Sequence, residues 1–590
     1  MCGIAGVFGR GDRATVDAML ATLRHRGPDD GFTVGSEQFT LGARRLSIVD
    51  VEGGRQPMSD ETGHIWAAQN GELYNYPQLR PRLLAGGHIL HTHCDTEILP
   101  HLYQEFDRAV PEHIDGMFAI ALWDDERRRG LLARDRLGKK PLYYYAAGDQ
   151  LYFASELKAL LVIPGFRREL NLEALSHYLS LKHVPHPQTI FKNVAILPPA
   201  HRLIFEPGAP LRVERYWDVS FAPDATATAL SDDDAVAEVR RLLQEGVERR
   251  LMSDVPIGFF LSGGLDSSLS TAIAAEAASG SIKTFTLIYG EDSTTPGKEE
   301  DRRWARWVAE RYGTDHHEEQ VTFTGFPESI RSILRCFDEP FAGVVSSYFL
   351  SQLIARHVKV ALSGDGADEL FGSYRTHRLA AEPGAVVDAC WRSQFVVFTE
   401  AEKRELFQPD VLAALDGSTT TGLFQDAFAR LTAVDPLNQV LEAELKTVFP
   451  DQVLTYGDRL SMAHSLEVRS AYLDTALVEF AARLPARMKI RDGETKYALK
   501  RVAAQYFPAA MVNRPKEGFL MPVAQWFQRD LESYVRTTLA PERLALHGLF
   551  RQEGVKALVD RLYQAGSDYH DVNRVMSLVI FQEWYELYLA

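Results

Sequence analysis

Residues 255–278, VPIGFFLSGGLDSSLSTAIAAEAA, place a glycine-rich turn between an apolar run and a helical segment. The run VPIGFFL (255–261) predicts a buried strand, and SSLSTAIAAEAA (267–278) predicts a helix. The turn Ser262-Gly263-Gly264-Leu265-Asp266-Ser267-Ser268 would then lie at a helix N-terminus, where backbone N–H groups can bind phosphate. It lacks the GK[ST] sequence of a P-loop, so transfer of a γ-phosphoryl group is not indicated.

Strands and helices continue to alternate after this stretch. KTFTLIYG (283–290), EEDRRWARWVAERYG (299–313) and KVALSG (359–364) predict a strand, a helix and a strand. This alternation favours an α/β parallel sheet with crossover helices. Residues 375–590 are mostly helical in period, so a helical part is predicted to complete the C-terminal domain.

The N-terminal part of the chain has a different pattern, in which short strands are broken by turn residues. The segments with this pattern are MCGIAGVFG (1–9), FTLGARRLSIVD (39–50), HIWAAQNGELYN (64–75), FAIALWDDERRRGLLARD (118–135) and QLYFASE (150–156). They predict a strand-rich α+β domain. Because residues 218–232 are small and polar, we predict a linker there, between domains at 2–217 and 233–590.

The length and composition narrow the classes of function. The chain has 590 residues, 46% of them hydrophobic and 24% charged, and a formal net charge of −16. This predicts a globular protein with two large domains, or one with substantial additions. The acidic balance argues against nucleic acid as a partner and favours small-molecule ligands. The four cysteines form no CxxC pair, and the sequence has neither a basic leader nor a long apolar run, which predicts a cytoplasmic protein without a membrane partner.

Cys2 becomes the first residue once Met1 is removed. Its thiol and the free α-amine would then form a nucleophile with a built-in base, because an α-amine titrates near neutral pH. Residues that could bind and cleave a free amino acid with a side-chain amide follow: Arg45 for the carboxylate, the segment Asn70-Gly71-Glu72, and Asp95 for the ammonium. The Asn70 amide and the next backbone N–H could donate to the oxyanion. Each has a simpler interpretation as well, namely an accidental cysteine, a surface ion pair, a hairpin turn and a loop cap.

Six segments occur in an order that is typical of one family. They are MCGIAGVFG, LRHRGPDD (23–30), RRLSIVD (44–50), NGELYN (70–75), DTEIL (95–99) and RDRLGKKPLYYY (134–145). Together they resemble the class II glutamine amidotransferase domain, an N-terminal-nucleophile αββα sandwich. The resemblance implies that Cys2 is the nucleophile and that Asn70 and Gly71 are the oxyanion donors. It also implies a glutamine-binding set, with Arg45 at the carboxylate and Asp95 at the ammonium, that comprises Arg45, Leu46, Ser47, Ile48, Val49, Asn70, Gly71, Glu72 and Asp95.

A second glycine-containing turn, SGDGADE (363–369), follows the predicted strand at 359–364. Asp368 of this turn and Asp266 of the first turn could together bind Mg²⁺ against phosphate oxygens, since that hard ion takes carboxylate and phosphate ligands. A solvated turn is the alternative, whereas the spacing of a calcium-binding EF-hand does not fit. Lys496 and Arg514-Pro515-Lys516 could neutralise a departing pyrophosphate or could be ordinary exposed side chains.

Seven segments of the C-terminal part also occur in a family order: FFLSGGLDSS (259–268), GTDHHE (313–318), DEPFA (338–342), ALSGDGADELFGSY (361–374), DRLSMAHSLEVRSAYLD (458–474), ETKYALKR (494–501) and NRPKEGF (513–519). They resemble the synthetase domain of asparagine synthetases, which adenylates a carboxylate with ATP. The resemblance implies an ATP-binding set, with the two leucines at the adenine, that comprises Leu261, Ser262, Gly263, Gly264, Asp266, Ser267, Ser268, Leu287, Ser363 and Gly364. It implies Mg²⁺ at Asp266 and Asp368, pyrophosphate at Lys496, and a role for Asp365 at the adenylated intermediate and in ammonia attack. His316-His317-Glu318 is predicted to be structural, because neighbouring residues on a strand point in opposite directions.

The sequence departs from the pattern of that family at three places. Ser373 replaces the second glycine of FGGY, Ala471-Tyr472 replaces Pro-Phe, and residues 343–347 lack a usual proline. We expect these changes to leave the nucleotide residues untouched and to bear on the acceptor. A buried hydroxyl at Tyr472 would need a partner, such as a group on an unusual substrate.

The two resemblances predict a glutamine-hydrolysing asparagine synthetase. It would convert glutamine, L-aspartate, ATP and water to glutamate, asparagine, AMP and pyrophosphate through a cysteinyl thioester, channelled ammonia and a β-aspartyl-AMP. Amidation of a different carboxylate is the alternative. A sugar-phosphate isomerase or phosphoribosyl transferase would not explain SGGLDSS, a β-lactam-forming relative has no use for Cys2, and an inactive scaffold is expected to have lost Cys2, Asp266 or Asp368. Whether the chain forms a homodimer is left open.

Overall fold

The computed structural model describes residues 2–278, 280–289, 298–321, 326–515 and 523–590. These residues contain strands that form three sheets. In chain order the strands are β1 Cys2–Phe8, β2 Asp30–Gly35, β3 Phe39–Arg45, β4 Met58–Ser59, β5 Ile65–Leu73, β6 Gly116–Asp124, β7 Arg129–Arg134, β8 Tyr143–Ala147, β9 Gln150–Ala154, β10 Val194–Ile196, β11 His201–Phe205, β12 Arg212–Arg215, β13 Ile257–Phe260, β14 Lys283–Tyr289, β15 Asp315–Val321, β16 Val360–Ser363 and β17 Glu467–Ser470.

The α-helices divide between the two halves of the chain. Those in the N-terminal half are Arg13–Thr22, Tyr76–Ala85, Ile98–Phe106, Val110–His113, Leu157–Leu160 and Leu172–Leu181. Those that follow are Ala225–Ala229, Asp232–Arg250, Leu265–Ala277, Lys298–Tyr312, Phe326–Phe337, Ser346–Ile354, Ala367–Phe371, Arg375–Ala380, Val387–Phe395, Glu400–Leu406, Pro409–Ala414, Thr420–Phe428, Pro436–Lys446, Thr455–Met462, Thr475–Arg483, Tyr497–Ala503, Ala509–Val512, Val523–Arg529, Glu532–Thr538, Pro541–Leu544, Gln552–Leu562 and Tyr569–Tyr588. Within the described residues, none of these helices has the length and apolarity to cross a membrane.

Two six-stranded sheets face each other in the N-terminal half, in the orders β10-β8-β9-β1-β3-β2 and β12-β11-β7-β6-β5-β4. Side chains of β1 alternate between two cores because successive residues of a strand point to opposite faces. Ile4 and Phe8 pack between the sheets against the second sheet's Ala119 and Trp123. Ala5 and Val7 pack on the outer side with helix Arg13–Thr22. Helices Tyr76–Ala85 and Ile98–Phe106 cover the outer face of the second sheet, which confirms the αββα sandwich.

The third sheet is parallel and has the order β15-β14-β13-β16-β17. The chain runs outward from β13 to β15 and then returns to place β16 on the other side of β13. This reversal opens a crevice at the carboxyl ends of β13 and β16, where ligands bind in such folds. The prediction of an α/β parallel sheet with a helical C-terminal part is confirmed, and His316-His317-Glu318 lies on a strand as expected, although the sequence did not indicate the charged strand β17.

Residues 218–232, the predicted linker, are partly built into the C-terminal core. Val219 and Phe221 are buried with Val239 of helix Asp232–Arg250. Ser231 caps that helix by accepting a hydrogen bond from the Asp234 amide. The domain limits at 217 and 233 stay predictions.

Buried ion pairs join the sandwich to the C-terminal half. Arg26 donates to the two carboxylate oxygens of Asp458 at 2.8 and 3.0 Å, and the ammonium of Lys140 lies 3.2 Å from the same group. Arg469 on β17 reaches a carboxylate oxygen of Glu72 on β5 at 3.3 Å. Because a buried charge without its partner is costly, these contacts hold the two halves in one arrangement.

Candidate active sites

The first strand places Cys2 at the centre of a buried site in the sandwich. Cys2 lies opposite Arg45 in the β1–β3 ladder, and its backbone nitrogen donates to Oδ1 of Asn70 at 3.2 Å. Removal of Met1 would turn this nitrogen into the α-amine. Burial raises the pKa of the Cys2 thiol above its ordinary value, while the Leu46 amide and Arg45 act in the opposite direction. The thiol therefore needs a base to accept its proton. The α-amine of Cys2 itself, once Met1 is removed, could act as that base.

Asn70 and Gly71 lie in the middle of β5, so the interpretation of Asn-Gly as a hairpin turn is wrong. Nδ2 of Asn70 is buried and has no hydrogen-bond partner among the described residues. A Cβ at Gly71 would come within 2.0 Å of the Met117 carbonyl oxygen, so only glycine fits at this position. An amide donor is thus held unused beside a thiol, which is the arrangement that stabilises an oxyanion.

Arg45 is buried and shapes one wall of this site. Its guanidinium donates to the carbonyl oxygens of Val49, Asp50 and Val51 at 2.9, 2.6 and 2.9 Å. The interpretation as a surface ion pair is therefore wrong. These bonds hold the loop with the predicted residues Leu46, Ser47, Ile48 and Val49 against the end of β3.

Two buried carboxylates, Glu72 and Asp95, lie on the other side. Asp95 accepts from the Leu73 amide at 2.8 Å and from the side chain of Gln69 at 2.9 Å. Burial raises the pKa of Asp95 despite these donors. Burial and the negative charge of Asp95 raise the pKa of Glu72 well above its ordinary value. A cationic ligand group would stabilise both charges, as the ammonium of an amino acid does.

Sequence reasoning missed several residues of this site. Nε2 of Gln56 lies 3.7 Å from the Cys2 sulfur, and Oε1 of Gln56 accepts from the Gln69 amide at 2.7 Å. Arg469 brings a positive charge to Glu72 from the other domain. Gln56 carried no pattern that could have revealed it, because it lies in a loop between strands. Cys94, beside Asp95 in the sequence, is buried.

A cavity of about 1280 Å³ lies in the crevice of the parallel sheet. The predicted residues that line it are Ser262, Gly264, Asp266, Ser267, Leu287, Ser363, Gly364, Asp365 and Asp368. Leu261 and Ser268 are fully buried, and neither they nor Gly263 are among its lining residues. Gly263 instead allows close packing, because a Cβ there would come within 2.0 Å of the Asp301 carbonyl oxygen. The loop after β13 and the loop after β16 thus meet at one cavity.

Asp266 and Asp368, which line this cavity, both contact Lys496, which is not among its lining residues. The ammonium nitrogen of Lys496 is 2.7 Å from both oxygens of Asp266 and 2.5 Å from Oδ1 of Asp368. The interpretation of Lys496 as an exposed side chain is wrong, because it is buried. Two carboxylates that reach one point from different loops fit the ligand set of Mg²⁺. Arg514 and Pro515 also line the cavity, and Lys516 lies outside the described residues.

The expectation that the three departures leave the nucleotide residues untouched is wrong. The hydroxyl of Ser373 donates to Asp368, and the hydroxyl of Tyr472 donates to the backbone oxygen of Asp266 at 3.0 Å. Tyr472 is fully buried, so its hydroxyl is satisfied within the protein and is not a substrate contact. Among the residues of the three departures, Val344, Ser347 and Ser373 line the cavity, and Val344 and Ser347 belong to the third departure.

His316 and His317 lie on β15, where their side chains point in opposite directions. His316 bonds to the hydroxyl of Thr284 at 2.9 Å, and the ring of His317 stacks on Phe285 at 5.2 Å. Both contacts belong to the packing of the sheet, in keeping with the predicted structural role.

A small cavity of about 30 Å³ lies between the two sites. Tyr74 and Met117 of the sandwich line it together with Arg469 and Asp365. Asp365 borders both this cavity and the large one.

Comparison with known proteins finds two family models that match different parts of the chain. A family model described as asparagine synthase matches residues 238–586, and one described as glutamine amidotransferase domain matches residues 1–217. Asparagine synthetase (glutamine-hydrolyzing) 1 of Bacillus subtilis (strain 168) is 30% identical, over 100% of this chain and 97% of that protein. Asparagine synthetase (glutamine-hydrolyzing) 3 of the same strain is 32% identical, over 95% and 93%. Amidase chyE of Penicillium rubens is 26% identical, over 92% and 90%. The chain therefore belongs to the asparagine synthase family, and it is an ATP-dependent ligase that takes its amide nitrogen from glutamine.

Proposed function

We propose that Cys2 attacks the side-chain amide of glutamine in the sandwich. The α-amine that Met1 removal creates accepts the thiol proton, and Nδ2 of Asn70 and the Gly71 N–H stabilise the oxyanion. Arg45 and the loop 46–49 bind the carboxylate of glutamine, and Asp95 and Glu72 bind its ammonium. Ammonia leaves and a cysteinyl thioester forms, which water then hydrolyses to glutamate. The observation that carries this proposal is the unused Asn70 amide beside the thiol.

The affinity of the sandwich for glutamine should depend on pH through the protonation of Asp95 and Glu72. Their pKa values are raised, so protonation as the pH falls removes the negative charge that attracts an ammonium. We expect the KM for glutamine to rise by up to about tenfold per pH unit below the higher of these pKa values, while the KM for ATP changes little. Initial-rate kinetics from neutral to mildly acidic pH would measure both constants. A KM for glutamine that stays flat in the wild type, or that keeps its full rise in the double variant Asp95→Asn/Glu72→Gln, would contradict the proposed role of this pair.

In the C-terminal domain, the carboxylate of the acceptor attacks the α-phosphorus of ATP and releases pyrophosphate. Asp266 and Asp368 would hold Mg²⁺, which supplies positive charge to the phosphate oxygens. Lys496 neutralises the departing pyrophosphate, and the N–H groups of the turn 262–268 bind phosphate. Ammonia then attacks the acyl-adenylate next to Asp365 and expels AMP. Since Asp365 borders both cavities, it lies where ammonia and the intermediate would meet.

The acceptor that we propose is L-aspartate, which gives L-asparagine. Support comes from the full set of adenylating residues around one cavity and from the names of the relatives from Bacillus subtilis. One observation favours a second candidate, a different carboxylate. Val344 and Ser347 line the cavity where the family usually has a proline-containing segment. Homodimer formation and a cytoplasmic location stay predictions from the sequence.

The test of the acceptor is the purified protein with glutamine, Mg-ATP and L-aspartate, followed by mass spectrometry of asparagine and AMP. We expect the two products in equal amounts. L-Glutamate, which is one methylene longer, should react about 10-fold to 200-fold less efficiently. Glutamine hydrolysis with background pyrophosphate release and no asparagine would rule out L-aspartate and favour the second candidate.

A further inference from the structure

Glu61, His88 and His101 bring three metal-binding atoms together on the sandwich, and none of them takes part in the two sites described above. Glu61 lies in the turn between β4 and β5, His88 follows helix Tyr76–Ala85, and His101 lies in helix Ile98–Phe106. One ligand atom from each lies within 4.8 Å of the others. Three separate segments thus direct their donor atoms to one place.

The burial of His101 is not explained by hydrogen bonds within the described residues. The residue is 1% exposed, and its Nδ1 has no hydrogen bond in the part of the chain that the structure describes. Oε2 of Glu61 lies 3.0 Å from this nitrogen, but the contact does not meet the geometry of a hydrogen bond. A buried polar nitrogen without a partner is rare in proteins and needs a ligand, an ion or water to satisfy it.

The spacing of the three groups suits a small cation. Tetrahedral Zn²⁺ with bonds of about 2.0–2.1 Å places its ligand atoms about 3.3 Å apart, close to the separation of His101 and Glu61. The rings of His88 and His101 meet edge to face at 5.1 Å, so they need only a small approach. Glu105 lies 3.4 Å from Nε2 of His88 and adds a second carboxylate, which could orient that ring.

We propose that Glu61, His88 and His101 bind one Zn²⁺ ion, with water as the fourth ligand. Two imidazoles and one carboxylate are a donor set typical of zinc, whereas Mg²⁺ and Ca²⁺ take oxygen ligands. The ion would join β4–β5 to helices Tyr76–Ala85 and Ile98–Phe106. Asp95 comes six residues before His101, and Gln56 comes five residues before Glu61, so the same segments continue into the glutamine site.

The experiment uses the full-length chain without a histidine tag, freed of metal with a chelator and kept in excess Mg²⁺. Zn²⁺ is added alone and its binding is followed by competition with a chromophoric chelator. We expect one Zn²⁺ per chain and a rise in the midpoint of thermal unfolding. His88→Ala and Glu61→Gln, both at positions that are not fully buried, should weaken binding at least about tenfold and remove the thermal shift.

The matched control is His91→Ala, an exposed histidine of the same segment, which should bind Zn²⁺ as the wild type does. His101→Ala should also lose the ion, and its thermal unfolding without metal shows whether it folds. Displacement of Zn²⁺ by Mg²⁺, no bound equivalent in the wild type, or full binding in both His88→Ala and Glu61→Gln would overturn the proposal.

Discussion

Cys2→Ala should lower amide formation from glutamine by about 10³-fold or more, and leave formation from added ammonium within about twofold. The variant removes the thiol that attacks glutamine, whereas the adenylating residues lie around a separate cavity. The side chain of Cys2 is small and buried, so alanine costs little packing. Amide product is measured with each nitrogen source in turn, together with glutamate release.

The matched control for this variant is Cys390→Ala. Cys390 is also a buried cysteine but lies in helix Val387–Phe395 of the C-terminal half, so both activities should be kept. If Cys2→Ala lost both activities equally, Cys2 would be a structural residue or the two sites could not be separated.

Asp368→Asn and Asp266→Asn should each reduce pyrophosphate release by about 10³-fold or more, with glutamine and with ammonium alike. An amide replaces a charged oxygen that Mg²⁺ would need, and Lys496 loses one of its two carboxylate partners. Hydrolysis of glutamine should continue in part, because Cys2 and its neighbours are unchanged. Pyrophosphate is measured at saturating ATP over a range of Mg²⁺ concentrations.

Asp388→Asn controls for the loss of a charge, since Asp388 is a partly exposed carboxylate whose partner is the neighbouring Arg392. It should retain ATP use. Wild-type pyrophosphate release by Asp368→Asn would show that the proposed pair of carboxylates does not bind the metal.

The sequence predicted the parts of the fold whose pattern is local. The apolar strands β13, β14 and β16 and the turn 262–268 have side chains that match a buried parallel sheet, and all were expected. Strand β17 was missed because its polar residues are typical of an exposed segment. Glu467 and Arg469 on β17 are buried, and Arg469 pairs with Glu72 of the other domain, a partner that is distant in sequence.

The same limit applies to the sites. Motif order indicated Asn70, Asp266 and Asp368, whose chemistry lies in segments with a recognisable pattern. The contacts of Tyr472 and Ser373 with the phosphate-binding loops were missed, because a hydroxyl's partner depends on residues that are distant in sequence. A substitution near a motif therefore does not by itself show whether it faces the ligand or supports the loop behind it.

The ion pairs between the domains bear on whether the two halves are interchangeable modules. A glutaminase half expressed alone would keep Arg26 and Glu72 but lose Asp458 and Arg469, so that Arg26 would be left with Glu156 and Glu72 would lose the cation that it contacts. Grafting a foreign glutaminase onto this C-terminal half would meet the same mismatch unless its counterions were transferred with it. Recombination and directed evolution of this chain should therefore treat the two halves as one unit. A change to a charged interface residue in one half requires a matching change in the other half.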